Sequence, residues 1–464
     1  MKRILYSLLC LCACLSLHAE VKYVFYFIGD GMGSAHVLAS EMYLAELDGK
    51  LGRNQLFMTG LPYSGELATY SASNGITDSS AAGTALATGS KANSGTLGIT
   101  PQGDTLTTIA EQLKREGWAV GLLTTVAIDH ATPAAFYAKS ASRDSYYEIG
   151  RQLTRTGFDF FGGAGFHEPN SDKQPNLYDL AEQEGYTIAG GLKAAINASK
   201  DAKKLILVQP EDAADRNRKG SNFPYRIDDR PFDLHLKPLT EFAIQYLESR
   251  GDRFFLMVEG GMIDYACHGE DGATAIKETI DFDAAVGKAL EFYNRHPMET
   301  LIVVTADHET GGMALGHDKY VLDLQLLQHQ HCSSWVLSDE LTALYSNHRQ
   351  PEWEEVKKLL QEKLDFYTDV TISEQEDEEL QRVFRKTIEE RDESEVKTLY
   401  KDINALCNAA IGLLNRKAQL GWVKYGHTGG MVPIFAIGKG AEQFTGWQDN
   451  TAVAPKILNI VHGK

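Results

Sequence analysis

Nothing in this 464-residue chain is long and apolar enough to cross a membrane: its one extended apolar run, Ile4 to Leu17, is shorter than the about 20 residues a spanning helix needs. Cysteine is scarce, with six in all, and Cys10, Cys12 and Cys14 lie in that same run. The remaining Cys267, Cys332 and Cys407 are an odd number, so at most one bridge could form and a disulfide framework is excluded. Proline is sparse, at 13 against 42 glycines, and the 43% hydrophobic and 23% charged content excludes disorder and collagen. Positive charge is short as well: 45 Lys and Arg face 63 Asp and Glu, a net −18. A surface of that sign repels nucleic acid and anionic lipid, so no nucleic-acid partner is expected. It would repel a phosphorylated ligand too, unless metal ions concentrate positive charge locally.

What is present begins with an export signal over residues 1–19: Lys2 and Arg3, the apolar run, then Ala19 ahead of Glu20. Its removal takes the net charge to −20 and leaves a chain expected to be soluble and periplasmic, with secretion as an alternative. Leu11-Cys12-Ala13-Cys14 loosely resembles a lipoprotein cleavage box, whose use would leave Cys14 lipidated instead.

Short aliphatic, aromatic and β-branched runs predict buried strands at Tyr23 to Ile28, Trp118 to Val126, Leu205 to Val208, Phe254 to Val258, Leu301 to Thr305 and Ile434 to Ile437. Helical patterns alternate with them. One runs from Asp104 to Glu116 before Gly117, a second ends at Glu248 before Gly251, and a third places Ile276, Ile280 and Ala284 on one face. The alternation predicts a doubly wound α/β fold, a mostly parallel sheet with helices on both faces. Ligands in such sheets gather at the carboxyl ends of the strands. About 323–420 departs from the pattern, with acidic runs such as Glu374 to Glu379 and Glu389 to Glu393 among leucines at helical spacing. It reads as a mostly helical insertion: a solvated cap, or alternatively a lid or dimer contact.

Several strand ends carry a carboxylate or histidine among glycines. Asp30 stands in Gly29-Asp30-Gly31, and Glu259 precedes Gly260-Gly261, with Asp264 and His268 following. Asp307 and His308 close the run from Leu301, and His427 sits in Gly426-His427-Thr428-Gly429-Gly430. Each alone could be a helix cap or turn residue. Together they supply enough oxygen and imidazole donors for more than one divalent metal. Crowding so many acids into one cleft without cations would cost heavily in desolvation and repulsion. Ser79, beside Asp78 and before a helix-compatible run of small residues, is placed like a nucleophile, where the positive end of a helix dipole suits an oxyanion or phosphate.

At these residues the sequence resembles the alkaline phosphatase family. The match runs in order from Phe27-Ile28-Gly29-Asp30-Gly31-Met32-Gly33 through Asp78-Ser79 and Thr305-Ala306-Asp307-His308-Glu309 to Thr428 and the last strand. The resemblance implies a single catalytic domain over 20–464 that hydrolyses small phosphate monoesters through a phosphorylated Ser79. It further implies one zinc held by Asp264, His268 and His427, and a second by Asp307, His308, Asp30 and the Ser79 oxygen. A magnesium would take Asp30, Thr132 and Glu259, and Arg143, in Ser140-Ala141-Ser142-Arg143-Asp144, would grip phosphate oxygens. A homodimer is implied as well. His130 and Tyr265 depart from the familiar bacterial pattern and stand where they would support the ligands; His130 puts the identity of the third metal in question. Cys267 is assigned to packing, and Glu309 and His317 have no role.

Rival readings exist. A sulfatase requires a modifiable Cys-x-Pro-x-Arg or similar site, which none of the three late cysteines begins. Phosphodiesterases of the same superfamily often lack a counterpart of Arg143, and a non-catalytic metal- or phosphate-binding protein would be expected to have lost a ligand, Ser79 or Arg143.

Overall fold

The computed structural model describes residues 20–220, 222–231, 233–345, 351–387 and 395–464. The leader, with Cys14, and the acidic run at 389–393 lie outside the described residues. In chain order the strands are β1 (Tyr23–Gly29), β2 (Tyr63–Ala68), β3 (Ala119–Thr124), β4 (Phe160–Gly162), β5 (Tyr186–Gly190), β6 (Lys204–Val208), β7 (Phe254–Gly260) and β8 (Thr300–Ala306). Then come the short β9 (Glu309–Thr310), β10 (Ala314–Leu315), β11 (Glu395–Val396), β12 (Ile403–Asn404), β13 (Leu420–Gly421) and β14 (His427–Thr428), and finally β15 (Val432–Gly438) and β16 (Gly446–Asp449).

Ten of these form one sheet in the order β16-β2-β15-β8-β1-β7-β3-β4-β6-β5. It is parallel throughout except for β15, which runs antiparallel to both β2 and β8. The middle strands are buried along their whole length, as near-continuous apolar runs require. Alternation along β1 shows both faces covered. Phe25 and Phe27 meet Phe292 and Phe282 of the helix Gly272–Arg295, at ring separations of 5.4 and 5.9 Å. Tyr26 points the other way, toward Phe136 at 5.9 Å and the carbonyl of Leu86. Burying each such ring contributes about 1.5–3 kcal/mol.

Two expected helices differ in detail. The one before Gly117 spans only Ile109–Arg115, because Thr108 and Glu111 cap each other's backbone N–H groups and Thr105 bridges back to Ile99. In Gly272–Arg295, Ile276 is buried, but Ile280 and Ala284 are only partly so. Its core face runs instead through Phe282, Ala285, Val286 and Ala289. All three late cysteines are buried and free. The segment 323–420 carries helices at Ser334–Tyr345, Trp353–Leu364, Glu374–Arg385 and Ala405–Lys417, and the small β11–β12 hairpin.

Register places the site. Gly29 of β1 pairs with Gly260 of β7 and with Ala306 of β8, so Asp30 and Asp307 leave adjacent strands at one level. Glu259 lies one rung below, and pairs with Thr124 of β3.

Candidate active site

The carboxyl ends of β1, β3, β7 and β8 open onto a compact polar cluster. Asp30, Glu259, Asp264, Asp307 and His308 are fully buried, and His268 is nearly so. Gly31 adopts φ +73°, which turns the chain sharply so that its N–H donates to Asp307 Oδ1 at 3.2 Å. Asp264 and His268 sit one turn apart on the helix Met262–His268, with His268 Nε2 3.4 Å from Asp264 Oδ2. His427 arrives from β14, which pairs with β9, and its Nε2 is 3.2 Å from His268 Nε2. His308 Nε2 stands 3.3 Å from both Asp30 Oδ1 and Asp307 Oδ2.

Two imidazoles have their orientation fixed from behind. His268 Nδ1 donates to the Tyr425 carbonyl at 2.8 Å and His427 Nδ1 to the Thr77 carbonyl at 2.9 Å. A carbonyl can only accept, so each ring presents an unprotonated Nε2 to the cluster when neutral. Thr310 donates to Asp264 Oδ1 at 2.5 Å and lies 3.2 Å from His308 Nδ1.

Ser79 is the first residue of the helix Ser79–Thr88, whose N-cap is Asp78, accepting from the Ala81 N–H. The cap is therefore the aspartate, and the Ser79 hydroxyl is left to face the cluster, 3.2 Å from His308 Nε2. Asp78 also accepts from Ser80, from the Gly95 N–H and from Arg143 Nη1 at 3.0 Å. Arg143 lies in a turn, its side chain only 16% exposed, with Nη2 3.4 Å from His130 Nε2. Read from its own segment it would be a surface residue, yet the fold tucks it beside Ser79's helix.

Electrostatics exposes what the protein alone leaves unbalanced. Burial and then the neighbouring carboxylates push Asp30 far above the usual carboxylate range, and burial and Asp264 do the same to Asp307. Burial raises Glu259 to about 7. Asp264 goes the other way, since the imidazoles of His268, His427 and His308 outweigh its burial. Burial and Arg143 depress His130 to about 3, so its ring is neutral. Asp30 Oδ1, Asp307 Oδ2, Glu259 Oε1 and His130 Nδ1 are buried with no hydrogen-bond partner. The three carboxylate oxygens among these are orphaned acceptors, which bound cations would satisfy.

Three donor groups with the spacing of metal ligands form here: Asp264, His308 and His427; Asp30, Asp307 and His308; and Asp30, His130 and Glu259. His130 is thus itself a member of the third donor group. Thr132 Oγ1 is 3.5 Å from Asp30 Oδ2. Tyr265 stacks on Tyr400 with ring centroids 3.5 Å apart. Glu309 accepts from the Gly312 and Met313 N–H groups and from Thr428, bracing the pairing of β9 with β14. Cys267 is packed inside, and His317 lies exposed beside Asp318. Sequence reasoning missed Thr310 and Tyr400, whose hydroxyl donates to Asp264 Oδ2 at 2.9 Å.

The fold is one found in solved alkaline phosphatases. A cold-active enzyme from a psychrophilic Shewanella sp. aligns with TM-score 0.78 and 28% identity, over 94% of this chain and 99% of that one. The Thermus thermophilus alkaline phosphatase aligns with TM-score 0.77 and 25% identity, over 96% and 92%. Among curated proteins, alkaline phosphatase 4 of Bacillus subtilis is 30% identical over 455 residues, 96% of this chain and 89% of its own length. The family model for alkaline phosphatase matches residues 21–157 and 218–462, through the segment 323–420 and leaving out 158–217. The chain belongs to the alkaline phosphatase family, a family of phosphoester hydrolases. No helix among the described residues is long and apolar enough to cross a membrane.

Proposed function

We propose that this protein hydrolyses phosphate monoesters through a phosphorylated Ser79, at a site that takes two zinc ions and one magnesium. The observation that carries this reading is the Ser79 hydroxyl at a helix N-terminus, 3.2 Å from His308 Nε2 and among three buried donor groups. Asp264, His268 and His427 would hold one zinc. Asp307, His308, Asp30 and the Ser79 oxygen would hold the second, and Asp30, Thr132 and Glu259 the magnesium, with His130 beside them. When bound, such ions supply positive charge to the attacking and leaving oxygens of an in-line displacement.

The chain's own groups do the rest. Ser79 Oγ attacks phosphorus as its proton passes to water, and the phosphorus–oxygen bond to the alcohol breaks, the departing oxygen taking a proton from water, which leaves phosphoserine and free alcohol. Water then attacks the same phosphorus, the bond to Oγ breaks, and inorganic phosphate departs. Arg143 binds two non-bridging oxygens through donors that Asp78 leaves free, while its bond to Asp78 fixes the guanidinium plane. The helix N-terminus adds its partial positive charge to the same phosphoryl group. Tyr265 supports the ligands from the side. Behind the leader, residues 20–464 would act as one exported, homodimeric, phosphate-scavenging domain.

The test is hydrolysis of p-nitrophenyl phosphate beside its bis-ester, before and after chelation and metal restoration. Monoester preference lost to chelator and regained with zinc and magnesium is expected. Ser79→Ala should lose about 10³-fold or more of monoester turnover. Diester preference, or near-native turnover in that variant, overturns the reading.

A further inference from the structure

Among the described residues outside the active site, one other group of histidines and aspartates has metal-ligand spacing: His329, Asp365 and Asp369. Its geometry follows from the local chain. The turn of 3-10 helix Leu324–His329 ends at His329, and Gln330 is extended at φ −85°, ψ 116°. Extended backbone sends alternate side chains to opposite sides. Gln330 goes inward, fully buried, and donates to Asp271 Oδ1 at 2.7 Å and to the Cys332 carbonyl at 3.0 Å. His329 and His331 therefore leave together on the outer side.

Both rings converge on one atom. His329 Nδ1 lies 2.8 Å and His331 Nε2 2.9 Å from Asp365 Oδ2. Asp365 ends the helix Trp353–Leu364 in the left-handed region at φ 51°, which any residue but glycine adopts at some cost. The loop behind it closes through the Val370 N–H on the Asp365 carbonyl at 3.0 Å, and so brings in the Asp369 carboxylate. The His331 N–H donates to the Lys363 carbonyl, which holds the strap against the helix end.

We propose that His329, His331, Asp365 and Asp369 form a further metal site, which takes zinc or a similar divalent transition ion. Two imidazoles and two carboxylates are a tetrahedral donor set. Ligands ~2.0 Å from a tetrahedral ion stand ~3.3 Å apart, so the two imidazole–Asp365 pairs need to open by about half an ångström, and His331 would swing in to complete the group that His329, Asp365 and Asp369 already form. His331 is 48% exposed and has room for that movement. The ion would replace the imidazole protons now shared with Asp365 and clamp the strap to the helix end. Because Gln330 binds Asp271, the N-cap of Gly272–Arg295 and three residues beyond His268, the clamp would steady the approach to the active site without touching it.

The test uses the full chain, stripped by chelator and reloaded with zinc at micromolar concentration, with zinc counted per chain. The wild type should hold one zinc more than H329Q/H331Q, with equal p-nitrophenyl phosphate turnover in both. Crystals of the wild type should show an anomalous zinc peak bonded to His329 Nδ1, His331 Nε2 and Asp365, which decides the matter even if the double variant fails to fold. Equal zinc counts with no such peak, or a peak present only at millimolar zinc, overturn the proposal.

Discussion

Gly31 shows how little room the donor cluster leaves. At φ +73° a Cβ would come within 2.8 Å of Asp264 Oδ1 and 2.9 Å of Thr310 Oγ1. Gly31→Ala should therefore lose about 1–3 kcal/mol through backbone strain and displace Asp264. Calorimetry with a metal count checks this, and native metal content with an unshifted Tm would refute it. At Arg143 the opposite separation is expected. Arg143→Ala removes the proposed phosphate-binding fork but no proposed metal ligand, so inhibition by inorganic phosphate should weaken about 10–100-fold while zinc content stays constant. Loss of zinc in that variant would mean the residue has another role. The donors themselves were legible because acids and histidines among glycines at strand ends have few cheaper explanations when seven occur together. Arg143 was not, since its neighbours Ser140 to Asp144 carry no periodic signal and only the family resemblance singled it out. Its partner Asp78 lies 65 positions away in sequence.

Elements far apart in sequence meet over this cluster, and the β11–β12 hairpin is the clearest case. From it Tyr400 reaches Asp264, its ring nearly parallel to Tyr265 at an interplanar angle of 4° and edge-on to His268. Helical leucine spacing and acidic runs made the segment's helices readable, but a hairpin of two-residue strands has no periodicity, so a half-buried residue packed against a metal-ligand candidate passed for part of a solvated cap. Tyr400→Phe keeps the stack and deletes one bond to a carboxylate. Such a bond contributes about 1.5–3 kcal/mol. Zinc should therefore pass to a competing chelator about 10-fold or more faster or at lower chelator concentration, with turnover at saturating zinc changed far less. Tyr400→Ala should do worse in both measurements, because the stacked ring is lost too. Unchanged zinc retention in the phenylalanine variant would make the bond incidental.

Over the whole molecule, alternation of strand and helix predicted the parallel sheet, yet the reversed β15 between β2 and β8 was not legible, because strand direction is set by connections and leaves no mark in composition. The same holds for buried charge. A chain with 63 acidic residues places most of them in water, and sequence does not tell which few are taken inside. Glu278 is one of these, on the helix Gly272–Arg295 and away from the donor cluster. It is 5% exposed and accepts from the Arg226 N–H at 2.6 Å, and burial raises its pKa from 4.5 to about 8. The folded state therefore keeps this proton between pH 4.5 and 8 while the unfolded chain releases it. Its favourable share of stability is complete below pH 4.5 and is lost as pH rises toward 8. Glu278→Gln retains an oxygen for the Arg226 N–H and cannot ionise. At pH 5 the variant and wild type should have similar urea midpoints. At pH 8 the variant should be more stable by a few kcal/mol, since each tenfold difference in proton affinity between the folded and unfolded chain is worth about 1.4 kcal/mol. Midpoints that stay parallel from pH 5 to pH 8 would place Glu278 in contact with water, and the packing of this helix against Arg226 would then have to be looser than the structure has it.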